Sequence, residues 1–306
     1  MDTSIMNERK PTVGVIGLGN AGMALATPLL RHFDVLGHDR DAGRSAVARG
    51  IGVRAAADAA QVAGECDIIL LSLPTPAASL AAADALAQGN LRDRLVIETS
   101  TVSPQDVAAL QARVAPHGAR VMDAAIIGGV HKLAEGKTTF LVGASAEDYA
   151  RAKPILDAAA EEIFHLGETG SGMRAKLVNN AVAHTTMVML LEGAALAARA
   201  GVPPDVFYTL MRRDSGLSRP LTHRFGERIR QQDFEGGMPT ANARKDSALA
   251  LELARELGVP LFTMQASHTV YEIAHGAGLD RLDYASISKL WEQWTDVAFG
   301  ERVHEQ

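Results

Sequence analysis

The sequence predicts an α/β protein: a doubly wound, mostly parallel sheet followed by an all-helical C-terminal domain. Three observations carry this reading. Over residues 1–170, short β-branched runs alternate with helix-like segments, the pattern of a parallel sheet covered on both faces. From about residue 172 onward every segment reads as helix. The change falls at Gly167, Gly170 and Gly172 with no long flexible tether, so domains of 1–170 and 171–306 are expected, packed with a cleft between them.

Composition narrows the class. The chain has 306 residues, 47% of them hydrophobic and 22% charged, which suits a soluble globular protein of two domains. A net charge of -6 offers no general attraction to nucleic acid or to anionic membranes. The single cysteine, Cys66, cannot form an internal disulfide, which fits a reducing compartment. The polar start, residues 1–10, lacks the apolar core of a signal peptide. The longest apolar run, within 181–198, is broken by His184, Thr185, Thr186 and Glu192, which argues against a membrane span. The expectation is a cytoplasmic protein.

The first strand, 12–17, leads at once into Gly17-Leu18-Gly19-Asn20-Ala21-Gly22 and a helix-like segment reaching about His32. In this G-x-G-x-x-G the first glycine permits a tight turn, and the second lets a pyrophosphate approach the backbone. The third lets helix and strand pack closely. The helix start then offers free N–H groups to phosphates. A second strand, 35–38, ends at Asp39, at the spacing of a ribose ligand, which makes the first domain Rossmann-type. A carboxylate there accepts from the ribose hydroxyls of NAD and repels the 2′-phosphate of NADP, so NAD is favoured. Arg40 and Arg44 keep NADP as the alternative, because either could pair with that phosphate. Pro28, inside the first helix, is expected to bend it.

The alternation continues. Residues 51–54 read as a strand, 58–64 as a short helix, and 67–73 as a fully buried strand broken by Pro74-Thr75-Pro76. An Ala-rich helix runs to about Gln88, and 95–99 is the next strand. Ser103 and Pro104 then open a helix as N-cap and first residue. Strands at 120–126, 138–143 and 162–166, with a helix at 146–160, complete the sheet. Ligands bind at the carboxyl ends of such strands. Those ends are 17–22, 73–76, 100–102 and 127–130. At the last, Ile127-Gly128-Gly129 either offers backbone N–H groups to a carboxylate or is a simple turn before a hairpin-like segment.

The helical half opens with a long helix of about 172–200, stopped by Gly201 and then Pro203-Pro204. Apolar residues surround most of it, the pattern of a buried helix. Its first turns nevertheless carry Lys176, Asn179 and Asn180, neighbours on one face. A Lys buried without a task is expensive, so this cluster is either a wet helix start or an active site. Helices follow at 204–213, 219–232, 240–257, 261–275 and 283–299. A break at Ser215-Gly216-Leu217-Ser218 follows the first of these, and Asp283 is placed to cap the last.

With those residues laid out, the chain resembles the β-hydroxyacid dehydrogenase family. Four stretches occur in the family's order: Gly17–Gly22; Asp123-Ala124-Ala125-Ile126-Ile127-Gly128-Gly129; residues 170–180, with Lys176, Asn179 and Asn180; and Lys245-Asp246. The resemblance implies an NAD(P)-dependent oxidoreductase interconverting a 3-hydroxy acid, 3-hydroxyisobutyrate-like, with its semialdehyde or keto form. It implies Lys176 as general acid/base and Asn180, with Asn179 beside it, holding the substrate. Gly128 and Gly129 would bind the carboxylate, next to Ile127. Thr101 would sit near nicotinamide and substrate. Lys245 would close over both, and Leu73 and Pro74 would line the cofactor path. The helical domain would be 6-phosphogluconate dehydrogenase-like and would build a homodimer or homotetramer. The small hydroxy acid or semialdehyde is the expected partner, and no metal is expected.

Two departures bear on substrate: the family serine is Ile127 here and its proline is Ala125, while Met238 occupies a loop position that is aromatic in some relatives. Losing one hydroxyl partner is worth about 1 kcal/mol. A substrate bulkier or more apolar near that wall is therefore expected. Two other readings compete. Imine reductases share this architecture but replace the Lys; a non-catalytic cofactor-binding interaction protein has no use for Lys176, Asn180 and Lys245 together.

Overall fold

A computed structural model describes residues 12–213 and 216–300. The polar start, residues 1–10, and Ser215 of the expected break lie outside the described residues. The chain forms two compact units, 1–181 and 182–306.

The first unit is a single eight-stranded sheet with helices between its strands. Its elements run β1 (Thr12–Ile16), α1 (Asn20–Leu29), β2 (Asp34–His38), α2 (Ala42–Gly50), β3 (Arg54–Ala55), α3 (Ala59–Glu65), β4 (Ile68–Leu71) and α4 (Pro76–Leu86). They continue with β5 (Leu95–Glu98), α5 (Pro104–Val114), β6 (Arg120–Ile127), α6 (Gly129–Glu135), β7 (Thr138–Gly143), α7 (Ala146–Asp157) and β8 (Ala160–His165). The strand order is β3-β2-β1-β4-β5-β6-β7-β8, parallel except where β7 runs antiparallel to β6. The doubly wound, mostly parallel sheet is as the sequence predicts. Between β1 and β4 the strand order reverses, and the loops on either side diverge to leave a crevice.

Alternation along the strands divides the core between the two faces. Val13, Val15, Leu95 and Ile97 pack on one face, and Ile16, Leu36, Ile69 and Val96 on the other. Both faces are covered, which is why these strands read as continuous apolar runs. Ser103 caps α5 with a reciprocal pair of bonds to Asp106, and Pro104 takes the first helical position.

Pro28 lies in the last turn of α1, where it forgoes one bond to the Ala24 carbonyl and the helix ends a residue later. It packs against Gly136, which ends α6 in a left-handed conformation at φ +77°. The segment following Gly128 is therefore the helix α6 rather than the turn of a hairpin.

A 29-residue helix, α8 (Ser171–Arg199), begins in the first unit and ends in the second. It is followed by α9 (Pro204–Arg212), a π-helical segment (Pro220–Ile229), α10 (Thr240–Leu257), α11 (Phe262–Gly276) and α12 (Ser288–Thr295). Asp283 caps the turn before α12 by accepting from the Ala285 N–H. The apolar body of α8 does not match the buried helix read from its composition. Val182, Met187, Val188 and Leu191 are all exposed, and only 6% of its most apolar stretch is buried. Too few elements of the single chain pack on it. Among the described residues, α8 alone is long and apolar enough to cross a membrane by length and composition. It carries buried Glu192, however, whose carboxylate accepts from the Phe262, Thr263 and Met264 N–H groups at the start of α11.

Candidate active site

The glycine loop behaves as its spacing demands. Gly17 has φ +94°, and a Cβ on it would lie 2.2 Å from the Ser72 carbonyl oxygen. A Cβ on Gly22 would lie 1.9 Å from the Gly17 carbonyl oxygen, so α1 can approach β1 only with glycine there. Gly19 differs: its Cβ would meet nothing but the mobile end of Arg44, at 3.3 Å. The first and third glycines thus serve packing, and the second leaves an open approach to the start of α1, where no side chain caps the free N–H groups. This cradle fits a dinucleotide pyrophosphate. The Leu18 side chain is buried in the core, and its N–H donates to Asp39 Oδ2 at 2.8 Å.

That bond fixes Asp39 at the end of β2. Its other oxygen accepts from the Asp41 N–H at 2.8 Å, and the Arg44 guanidinium lies 3.7 Å away. Asp39, Arg40 and Arg44 line a cavity of about 220 Å³, walled on its apolar side by alanines of α4. A second cavity of about 360 Å³ shares Arg44, Ser72, Leu73 and Pro74 with it. It runs over Gly19 and Ala21 to Thr101, Ile126, Gly129 and Lys176. The carboxyl ends of β1, β4, β5 and β6 therefore border two adjoining cavities that share one wall.

Lys176 closes the far end. It stands in the second turn of α8, and its amine donates to the Ile126 carbonyl oxygen at 2.7 Å. Burial holds this amine below the ordinary lysine range. Its helix start is anchored separately: Asp123, on β6, accepts from the Gly170 N–H and, at 2.7 Å, from the Met173 N–H. A side chain at Gly172 would strike both that carboxylate and the Leu141 carbonyl. The glycines before Lys176 therefore let α8 dock on the sheet.

Not every residue singled out in the sequence meets in the cavity. Thr101, Gly129 and Lys176 do. Gly128 adjoins them as the left-handed N-cap of α6, at φ +117°. Ile127 does not line the cavity; it packs against the apolar residues on the opposite sheet face, and Ile126 forms the wall instead. Asn179 is exposed, and its amide lies against the half-buried Asn180 rather than in the cavity. Lys245 is on α10 in the second unit, exposed and 3.1 Å from Asp246. A residue the sequence reading passed over also lines the cavity: Leu133 of α6, whose helical pattern is too short to register.

The comparisons agree with this geometry. Residues 12–167 match the NAD binding domain of 6-phosphogluconate dehydrogenase, and residues 170–291 match the NAD-binding domain of NADP-dependent 3-hydroxyisobutyrate dehydrogenase. The chain is 30% identical over 302 residues to 2-(hydroxymethyl)glutarate dehydrogenase of Eubacterium barkeri, covering 95% of this chain and 98% of that one. It is similar to the Mycobacterium tuberculosis 3-hydroxyisobutyrate dehydrogenase structure with L-serine, at 26% identity and a TM-score of 0.63 over 92% of this chain and 99% of that one. An imine reductase from Pseudomonas sp. shares the fold, with a TM-score of 0.83 at 24% identity over 92% of this chain and all of that one. The chain belongs to the β-hydroxyacid dehydrogenase family. It is an NAD(P)-dependent oxidoreductase that acts on the CH–OH group of a hydroxy acid.

Proposed function

We propose that the chain interconverts a 3-hydroxy acid resembling 3-hydroxyisobutyrate and its semialdehyde, with Lys176 as the general acid/base and NAD as the preferred cofactor. The observation that carries this reading is the Lys176 amine, desolvated and facing a cavity that also holds Thr101 and Gly129. A lysine works as a base near neutrality only when its charged form is disfavoured, and burial supplies that. In oxidation the neutral amine takes the hydroxyl proton; in reduction the ammonium returns it. The Gly128 and Gly129 N–H groups hold the substrate carboxylate, and Thr101 orients the carbon that reacts. A nicotinamide held across the crevice would supply the hydride-transfer chemistry, while the residues above bind and orient the substrate and carry its proton. Asn180, Asn179 and Lys245 are assigned by their match to the family motifs.

Asp39 supports the NAD preference, since its carboxylate stands at the ribose position and opposes a phosphate there. Arg44 is the residue that would serve NADP. The apolar walls formed by Leu73, Ile126, Val130 and Leu133 favour a substrate with an apolar substituent. We further propose that a second copy of the chain covers the exposed apolar face of α8, giving a homo-oligomer built through the helical unit. The same face would otherwise need a membrane, and the charge that α8 buries, Glu192, is committed to a protein contact. A panel of 2- and 3-hydroxy acids, assayed by cofactor absorbance with NAD and with NADP, tests substrate and cofactor together. Turnover of 3-hydroxy acids with NAD supports the reading; turnover of 2-hydroxy acids alone contradicts it.

A further inference from the structure

Glu98 and Asp123 are the last residue of β5 and its direct partner on β6, and both are buried, at 1% and 0% exposure. Side chains paired in this way on neighbouring parallel strands point to the same face, with strands about 4.8 Å apart. Among the described residues neither carboxyl has an ion-pair partner within 4 Å. Two buried carboxyls on one face of neighbouring strands each disfavour the other's charge, and burial disfavours both.

Their surroundings decide which one is charged. Asp123 accepts from two N–H groups at the positive end of α8, those of Gly170 and Met173. Glu98 accepts from a single N–H, that of Ser100 at 2.8 Å, and the Ser100 hydroxyl also faces it. The buried Ser79 hydroxyl faces the same carboxyl. We propose that this pair carries one negative charge, held on Asp123, while Glu98 is a neutral acid, and that together they position the two walls of the catalytic crevice.

The division of labour follows from the bonds. Asp123 sets the start of α8 and therefore the height of Lys176. Glu98 sets Ser100, whose hydroxyl accepts from the Leu73 N–H at 2.8 Å and so joins the β5 and β4 loops beside Thr101. Burial raises both carboxyls above their ordinary range; the Gly170 and Met173 amides at Asp123, and Ser100 and Ser79 at Glu98, offset this only in part. Neither residue touches the cavity, so both are positioning residues. The positional half of the proposal rests on Lys176 as the proton carrier; the charge state does not.

Infrared spectroscopy of the whole protein at neutral pH reads the charge state directly. The wild type should show the carbonyl stretch of a buried protonated carboxyl, and Glu98→Gln should remove it. A wild-type spectrum without that band, or one that Glu98→Gln leaves unchanged, overturns the assignment whatever the enzyme's substrate. Asp123→Asn should lower kcat by up to about 100-fold, the cost of misplacing a catalytic group by about 1 Å. It should also shift the Lys176 limb of the pH profile while leaving cofactor affinity unchanged. Unchanged kcat and pH profile in Asp123→Asn overturn the positional half. If that variant fails to fold, the wild-type and Glu98→Gln spectra still decide.

Discussion

The Lys176 amine lies 2.7 Å from the carbonyl oxygen of Ile126, on the same strand whose Asp123 anchors the helix that carries Lys176. A single strand thus fixes both the base of α8 and the amine one turn further along. Because burial lowers this amine's proton affinity, the neutral form should be present closer to neutrality than for an exposed lysine. In the oxidation direction kcat should fall as pH drops through the depressed Lys176 pKa. In reduction it should fall as pH rises through it. Lys176→Arg, which stays charged, should abolish the oxidative limb; pH–rate profiles in both directions check this.

The glycine loop makes two opposite predictions. Gly22→Ala places a methyl 1.9 Å from backbone and should cost about 1–3 kcal/mol of stability, with loss of cofactor binding. Gly19→Ala meets only the end of Arg44, so its melting temperature should stay at the wild-type value while cofactor affinity falls. Thermal melts with and without NAD separate the two.

The proposed NAD preference rests on Asp39. A hydrogen bond to a charged group is worth about 1.5–3 kcal/mol, so Asp39→Asn should narrow the NAD-over-NADP ratio of kcat/KM by roughly 10- to 150-fold. Arg44→Ala should act in the other direction and weaken NADP more than NAD. Steady-state kinetics with both cofactors read this out.

Much of this was legible in the sequence, and the gaps have physical causes. Alternating strands and helices, the G-x-G-x-x-G and the lysine at the start of a long helix are local patterns, and local patterns survive in one dimension. The seven residues of α6 are too few to show helical periodicity, so the sequence does not reveal Leu133 as a cavity wall. Ile127 was placed in the pocket from its motif position, but strand alternation gives that place to Ile126. The apolar body of α8 looked like a core helix because composition records that a face is apolar and not what covers it.

Glu192 predicts a pH-dependent stability. Burial alone would raise its pKa, but the three N–H groups at the start of α11 outweigh this and hold it below the ordinary value. A carboxyl with a depressed folded pKa contributes stability above its unfolded pKa of about 4.3, lost as pH falls through the folded value. Glu192→Gln should therefore lower stability at neutral pH by about 1–3 kcal/mol, the cost of weakening buried bonds to a charged group. The gap from wild type should close in acid. Denaturant melts at neutral and acid pH measure it.

The most direct test of the central claim is the turnover of Lys176→Ala alongside its affinity for NAD. General acid/base catalysis contributes about 10²–10⁴-fold, so kcat should fall by that factor while the cofactor dissociation constant stays at the wild-type value. An unchanged kcat would contradict the account and remove Lys176 from the proton transfer.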